Sequence, residues 1–256
     1  TLLPDLIREH SVDIVELASG DGHKTRLLID GFLQAGRSVN YFPIDISAKA
    51  MELLEDSMPS HPQLQQHNIV AEYFDGIDSI NQLSNNRKLV LFLGSNIGNF
   101  SHSEAKEFLR HLQYHLNPGD YLLAGFDLKK DIATLNTAYN DSSGLTRDFN
   151  LNLLHRINKE LHADFDVEAF DHYGTYNPTL GAMESYLLSK SEQTVNIKTL
   201  GKQINFTAYE PIHVEYSFKY LPTDIEQLAD DSGFLMLAHF PDSQHYFIDS
   251  LWRATT

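Results

Sequence analysis

The sequence predicts an α/β fold with a Rossmann-like, largely parallel sheet and an inserted α+β region. Three observations support this prediction. A short apolar strand runs into a glycine-containing turn and a helix, the next strand ends in an acid, and strands alternate with helices as far as Leu128. Such alternation is typical of a parallel sheet with helices on both faces. It stops after Leu128, and two apolar strands close the chain, so the insertion lies between.

The first strand, turn and helix lie near the start of the chain. Ile14, Val15 and Leu17 form a short apolar run. Gly20 and Gly22 follow where the backbone must bend close to a ligand, and residues 25–32 turn helical. The predicted buried face of this helix consists of Leu27, Leu28, Gly31 and Phe32. A strand, a glycine turn and a helix open many nucleotide-binding domains. Because the spacing is not GxGxxG, a glycine turn without a ligand is an open alternative.

The second predicted strand, residues 39–44, ends in Asp45. An acid at this place can bind both ribose hydroxyls of a nucleoside. The alternative is that Asp45 caps the helix that follows, as Ser47 can.

The charges around the first turn favour a cationic nucleoside. Glu16 and Asp21 would repel a phosphate, whereas acids suit a positively charged ligand. S-adenosylmethionine carries an amino group, a sulfonium and one carboxylate. Lys24 is placed to meet that carboxylate, although a solvated lysine fits the spacing equally well.

The later elements of the sheet follow the same rhythm. We expect a helix over 47–54, a weak third strand over 64–70, a buried central strand over 88–93, a helix over 101–115 and a strand over 121–127. Glu72 and Tyr73 follow the third strand, where they can hold an adenine or merely pack.

Ligands of such sheets lie at the carboxyl ends of the strands. Gly20, Asp45, Glu72 and the loop from Gly94 to Asn99 all fall at predicted carboxyl ends. We therefore predict that they share one cofactor site.

Residues 129–231 do not continue the alternation, and we predict that they form an inserted α+β region covering the ligand crevice. The nucleotide-binding domain then consists of residues 1–128 and 232–256. Its last two strands, 233–239 and 246–252, are predicted to form a closing hairpin, which suits the end of a class I methyltransferase sheet.

The composition argues against several classes of protein. A formal net charge of −16 over 256 residues opposes binding to nucleic acid, and the absence of cysteine excludes disulfides and thiolate chemistry. No apolar run has the length of a membrane span, no signal peptide is visible, and the scattered histidines predict no metal site. We expect a cytoplasmic protein with a small-molecule substrate; its oligomeric state is not indicated. Because the chain begins with Thr1, we expect the natural protein to start earlier.

Six motifs in one order carry a resemblance to a known family. They read VELASGDGHKT, PIDIS, FLGSNIGNF, GFDLKKD, AYNDSSGLTRDFNLNLLHRINKEL and EPIHVEYSFKY. Over nearly the whole chain the sequence resembles the histidine-specific N-alpha-methyltransferases of ergothioneine biosynthesis. The resemblance implies a class I, S-adenosylmethionine-dependent fold with an inserted α+β substrate-binding domain. It also implies methylation of the α-amine of L-histidine, up to trimethylhistidine (hercynine).

The resemblance also implies roles for individual residues. Cofactor contacts fall on Lys24, Asp45, Glu72 and Tyr73, in addition to Glu16, Gly20 and Gly94 from the strand ends. The contacts to the amino-acid end of the substrate, where the reaction occurs, fall on Asn99 and Tyr139. Contacts to the imidazole fall on Glu215 and Ser217, which share one side of a strand.

The chain departs from the family pattern at several points. Ala18 stands where the family usually has glycine, and Glu72 stands where it often has aspartate. The family also has a segment before its first strand, with tyrosines near the substrate, that this sequence does not contain. Another small amino acid or amine as acceptor, or a cofactor-binding module without turnover, are the alternatives.

Overall fold

A computed structural model describes residues 3–18, 22–55, 58 and 60–255. The chain divides into two compact units. The first unit consists of Thr1–Ile97, His102–Asp127 and Leu221–Thr256, and the second consists of Gly98–Ser101 and Leu128–Tyr220.

The helices and strands follow one another in this order. The strands are β1 (Ser11–Leu17), β2 (Ser38–Asp45), β3 (Leu64–Gln66), β4 (Ile69–Val70), β5 (Arg87–Phe92), β6 (Tyr121–Asp127), β7 (Phe170–Asn177), β8 (Ala182–Ser189), β9 (Gln193–Ile197), β10 (Lys202–Phe206), β11 (Pro211–Phe218), β12 (Phe234–Pro241) and β13 (Phe247–Ala254). The α-helices are α1 (Leu3–Leu6), α2 (His23–Gln34), α3 (Ala48–Glu55), α4 (Tyr73–Leu83), α5 (His102–Tyr114), α6 (Ile132–Tyr139), α7 (Leu145–Leu161) and α8 (Pro222–Asp231).

The first unit is built on one mixed sheet. Its strand order is β12-β13-β6-β5-β1-β2-β3, and β4 also pairs with β2. The pairings from β3 to β6 are parallel, whereas β13 is antiparallel to β6 and β12 is antiparallel to β13. The carboxyl ends of the parallel strands therefore meet at one edge, and the predicted closing hairpin is confirmed.

The central strands of this sheet are buried on both faces. Strands β5 and β6 are almost continuously buried, as their unbroken apolar runs predict. One face packs against α2, where the buried side chains are Thr25, Ile29 and Phe32. The predicted helix face was wrong in part, because Leu27 is 64% exposed.

The predicted third strand is broken into two short pieces, β3 and β4, which pair with different parts of β2. Between them the backbone N–H of His67 donates to the carbonyl of Tyr41, at 2.8 Å, and the His67 ring stacks on Phe42. The side chain of Asn68 donates to the carbonyl of Met51. The His67 bond still belongs to the pairing with β2, and the register is the same in β3 and β4. The interruption coincides with the contact of Asn68 with α3.

The second unit combines two helices with small antiparallel sheets. Strands β11, β8 and β7 form one sheet, and β9 and β10 form a hairpin. Its core consists of Leu154, Phe165, Phe170, Leu187, Val195 and Phe206. The insertion was predicted to end at residue 231, whereas the second unit ends at Tyr220. Helix α8 lies after that point and belongs to the first unit. Within the described residues, no helix is long and apolar enough to span a membrane.

Candidate active site

Asp45 lies at the carboxyl end of β2, at the edge where cofactors of such sheets bind. One of its carboxylate oxygens accepts a hydrogen bond from the backbone N–H of Ser47 at 2.8 Å. The hydroxyl of Ser47 accepts from the N–H of Ala50 at 3.2 Å, so Ser47 caps α3. Asp45 therefore does not have to cap this helix, and its side chain can serve a ligand.

Glu72 and Tyr73 begin α4, directly after β4. Burial raises the pKa of the Tyr73 phenol, and the charges of Asp45 and Glu72 raise it further. The phenol therefore shares its surroundings with both carboxylates. The structure thus brings together three of the predicted cofactor residues, one aromatic and two acidic.

A cavity of about 410 Å³ lies at the same edge of the first unit. Its walls are mostly apolar, with one ammonium and one carboxylate among them. The lining residues are Lys24, Leu27, Leu28, Leu93, Gly94, Leu123, Phe247 and Asp249. Pockets with apolar walls and few polar groups are typical of small-molecule sites.

Lys24 and Gly94, both predicted cofactor residues, meet in this cavity. Gly94 has a φ of +76°, and a Cβ there would lie 4.0 Å from the ammonium of Lys24. Asp249 also lines the cavity. Burial raises the pKa of its carboxyl, and the charge of Lys24 opposes this rise.

Glu16 is nearly buried at the end of β1, with a side chain only 5% exposed. Its carboxylate accepts hydrogen bonds from the hydroxyls of Thr25 and Tyr41. Burial and the charge of Glu16 raise the pKa of the Tyr41 phenol, which stays protonated. Glu16 thus ties β1 to α2 and β2, and the sequence did not predict this supporting role.

The glycine turn itself lies partly outside the described residues, and the predicted contact of Gly20 falls there. On its near side Ala18 has a φ of +57°, the left-handed region that favours glycine. Gly22 has a φ of +67° and precedes the first residue of α2. The departure of Ala18 from the family pattern thus occurs at a position where the backbone suits glycine.

The predicted substrate residues Asn99, Tyr139, Glu215 and Ser217 all belong to the second unit. Asn99 is exposed at the end of a 3-10 helix, Asn96–Asn99. Glu215 and Ser217 lie two residues apart on β11, after a register shift between His213 and Glu215. Ser217 is buried and Glu215 is half-buried, so this part of β11 is not a solvated face.

Tyr139 is the last residue of α6 and is held from two sides. The ring of His172 lies 2.8 Å from the Tyr139 carbonyl, and the amide of Asn140 exchanges two hydrogen bonds with the backbone of Gly174. At the other end, the ammonium of Lys219 donates to the Tyr139 hydroxyl at 2.9 Å. The phenol is therefore fixed in position.

Lys219 also connects Tyr139 to β11. Its ammonium donates to the hydroxyl of Ser217 at 2.6 Å, and the hydroxyl of Ser185 lies 3.4 Å from the carboxylate of Glu215. The structure thus groups a phenol, a hydroxyl, a carboxylate and a buried ammonium. Sequence reasoning missed Lys219 because nothing in its spacing distinguishes it from a surface lysine.

The residues of the first unit suit S-adenosylmethionine. The acids Asp45 and Glu72 can accept hydrogen bonds from ribose and adenine, and the ring of Tyr73 can face the base. Lys24 can meet the carboxylate of the ligand, and Asp249 offers a negative charge to its cationic groups. Among the residues that the structure describes, no group of His, Asp or Glu side chains could hold a metal ion.

Comparison with known proteins decides the family. A family described as histidine-specific methyltransferase, SAM-dependent, matches residues 3–254. The chain belongs to this family. The predicted family, the class I methyltransferase fold and S-adenosylmethionine as the cofactor are confirmed. The roles of the individual site residues stay predictions.

Two relatives carry names of the same kind. Histidine N-alpha-methyltransferase of Mycolicibacterium smegmatis is 35% identical over 221 residues, which cover 86% of this chain and 68% of the relative. The protein of that name in Mycobacterium tuberculosis is 36% identical over 210 residues, which cover 82% of this chain and 65% of the relative. This member of the histidine-specific methyltransferase family thus spans about two thirds of the length of these relatives.

Solved structures agree on the fold. A crystal structure of an S-adenosylmethionine-dependent methyltransferase from Clostridium acetobutylicum superposes with a TM-score of 0.51 at 13% identity. The match covers 100% of this chain and 89% of that one. At this identity the likeness shows the fold alone.

Proposed function

We propose that this protein transfers methyl groups from S-adenosylmethionine to the α-amino group of L-histidine, up to trimethylhistidine. Membership of the histidine-specific family supports the proposal, and so do two relatives named histidine N-alpha-methyltransferase. The observation that carries it is the group formed by Tyr139, Ser217 and Glu215 in the second unit. That group offers polar side chains for both ends of a histidine molecule.

The imidazole end is assigned to Glu215 and Ser217. An ionised carboxylate can only accept hydrogen bonds, whereas a hydroxyl can both donate and accept. A neutral imidazole has one N–H donor and one acceptor nitrogen. Because Glu215 and Ser217 lie on the same side of β11, one can accept from the ring while the other donates to it.

The amino-acid end is assigned to Tyr139 and Asn99. The phenol of Tyr139 can bind the carboxylate, and the exposed amide of Asn99 can orient the amine. When bound, S-adenosylmethionine supplies an electrophilic methyl group on its sulfonium. Methyl transfer is an in-line displacement, so the main task of these residues is alignment, which is worth up to about 7–11 kcal/mol in ideal cases.

The substrate is a small molecule, and we propose neither nucleic acid nor membrane as a partner. The net charge of −16 opposes binding to phosphate backbones. We further propose a cytoplasmic location as the default for such an enzyme.

Isothermal titration tests the proposal. The full-length protein is titrated with S-adenosylhomocysteine and then, when saturated, with L-histidine, L-phenylalanine and L-glutamine. We expect the cofactor product to bind. Among the amino acids, we expect L-histidine to bind at least about tenfold more tightly than the others. A phenyl ring offers no hydrogen bond to Glu215 or Ser217, and a flexible glutamine amide loses more side-chain freedom than an imidazole ring when it pairs with both.

Other outcomes would contradict the proposal. Tighter binding of another amino acid would favour a different acceptor. Binding of S-adenosylhomocysteine without any amino acid would favour a cofactor-binding module that does not turn over.

Glu192→Ala is a matched control for any substitution at Glu215, because Glu192 is an exposed acid of the same unit.

A further inference from the structure

Lys219 is a buried cation that the proposed reaction does not use directly. It follows β11, its side chain is 0% exposed, and its backbone N–H donates to the carbonyl of Gly181 at 2.9 Å. Burial of an ammonium is unfavourable unless its N–H groups are paired. Packing alone therefore does not explain a lysine at this position, and its ammonium is expected to have a specific role.

The ammonium contacts two hydroxyl groups of the proposed substrate site. The Lys219 Nζ lies 2.6 Å from the Ser217 hydroxyl and 2.9 Å from the Tyr139 hydroxyl. It also lies 4.9 Å from the centroid of the Tyr139 ring. Lys219 thus joins one residue assigned to each end of the substrate.

An ammonium has three donors and no acceptor. Both hydroxyls must therefore act as acceptors toward Lys219, and each has to direct its own proton elsewhere. A buried hydroxyl proton needs an acceptor, because an unpaired buried donor is costly. The ammonium thus makes the Tyr139 and Ser217 hydroxyls donors toward any ligand that they face.

We propose that Lys219 is a positioning residue that fixes the direction of these two hydroxyl protons. This inference rests on the proposed function. Tyr139 then donates to the carboxylate of the substrate, and Ser217 donates to the unprotonated ring nitrogen. Glu215, which can only accept when ionised, takes the N–H of the other ring nitrogen. The site therefore selects an amino acid with a free carboxylate and a neutral imidazole.

The test compares Lys219→Met with the native protein. Methionine keeps a similar length without charge or donors, and Lys202→Met is the control because Lys202 is exposed in the same unit. Protein saturated with S-adenosylhomocysteine is titrated with L-histidine and with histamine, which lacks the carboxylate. We expect Lys219→Met to weaken L-histidine binding by at least about tenfold. Histamine binding should weaken by less, because histamine has a partner for the Ser217 hydroxyl but no carboxylate for the Tyr139 hydroxyl.

The affinity for S-adenosylhomocysteine separates positioning from general support of the fold. In Lys219→Met this affinity should stay within about twofold of the native value. In Lys202→Met the affinities for L-histidine and for histamine should also stay within about twofold. In a Tyr139→Phe background, Lys219→Met should cost less than in the native protein, because one of its two targets is gone.

Four results would overturn the inference. Native L-histidine affinity in Lys219→Met would show that the hydroxyls need no cation, while leaving the proposed function intact. An equal loss of S-adenosylhomocysteine and histidine binding would show general structural support. If the native protein binds S-adenosylhomocysteine but no histidine, the proposed function fails as well.

Lys219→Gln replaces Lys219→Met if that variant does not fold. The glutamine side chain is too short to span both hydroxyls, so native histidine affinity in Lys219→Gln overturns the inference equally.

Discussion

Gly174 approaches Tyr139 so closely that a Cβ at position 174 would lie 3.0 Å from the Cβ of Tyr139. The same Cβ would lie 3.1 Å from the Tyr139 carbonyl oxygen, which is backbone and cannot easily move. Glycine at this position of β7 therefore allows the end of α6 to pack where the phenol reaches Lys219.

Gly174→Ala should displace Tyr139 and weaken the binding of L-histidine. We expect the histidine affinity to fall by at least about tenfold, because a displaced phenol loses its hydrogen bond to the ligand. The overpacked contact itself should lower the free energy of unfolding by about 1–3 kcal/mol. S-adenosylhomocysteine binding should not change, because its proposed ligands belong to the first unit. Gly31→Ala is the control, since a Cβ there meets no atom within 4 Å. Native histidine affinity in Gly174→Ala would show that the contact does not position the phenol.

Asp45→Ala should weaken S-adenosylmethionine binding by about 2–5 kcal/mol, the usual loss when one side of a hydrogen-bonded charge contact is removed. The substitution also removes an acceptor from the Ser47 N–H, so thermal melting is measured beside the titration. Asp5→Ala, which removes an exposed acid of the same unit, should change neither. An Asp45→Ala protein with native cofactor affinity would exclude the ribose assignment.

The sequence predicted the fold well where the physical signal is strong. The apolar runs of β5 and β6 are long because both faces of these strands are buried. The third strand was harder to predict, because its interruption coincides with tertiary contacts such as that of the Asn68 side chain with α3. Those contacts exist only after folding.

The site was predictable only where residues follow strand ends. Asp45 and Glu72 could be placed together because the carboxyl ends of parallel strands converge. Asp249 could not, because its place in the cavity depends on its antiparallel pairing with Gly125 of β6. Lys219 could not either, because burial of a lysine is a property of the packed unit and not of its neighbours in sequence.

Ala18→Gly should stabilise the protein. A non-glycine residue in the left-handed region costs about 1–2 kcal/mol. The greater freedom of glycine in the unfolded chain offsets about 0.5–1 kcal/mol of that gain. Urea unfolding should therefore show a net rise of about 0.5–1 kcal/mol in the free energy of unfolding. Ala50→Gly within α3 should lower it by about 1 kcal/mol, and a loss in Ala18→Gly would contradict the strain at this position.

Asp249→Asn should raise thermal stability at neutral pH. Burial raises the pKa of the Asp249 carboxyl above its ordinary value, so the folded state binds a proton more readily than the unfolded state. The charged form therefore destabilises the fold above the raised pKa, and this cost disappears below the unfolded pKa. Melting temperatures of the variant and the native protein should differ most at pH 8 and converge toward pH 4.5, as linkage requires over about this range. Asp230→Asn, an exposed control, should show no such convergence.

Glu215→Ala should raise the KM for L-histidine by at least about tenfold, because an imidazole N–H then lacks its acceptor. The affinity for S-adenosylmethionine should stay unchanged, since Glu215 belongs to the second unit. Steady-state kinetics of Glu215→Ala and of the control Glu192→Ala decide the point. Equal KM values in the two variants would remove Glu215 from the imidazole site.

The proposed activity of this chain is methylation of the α-amine of L-histidine. The most direct measurement is mass spectrometry of a panel of amino acids incubated together with the full-length protein and S-adenosylmethionine. We predict mass gains on L-histidine that correspond to one, two and three methyl groups, located on the α-nitrogen by fragmentation, and none on the other amino acids. Methylation of a different amino acid, or of an imidazole nitrogen, would contradict the account.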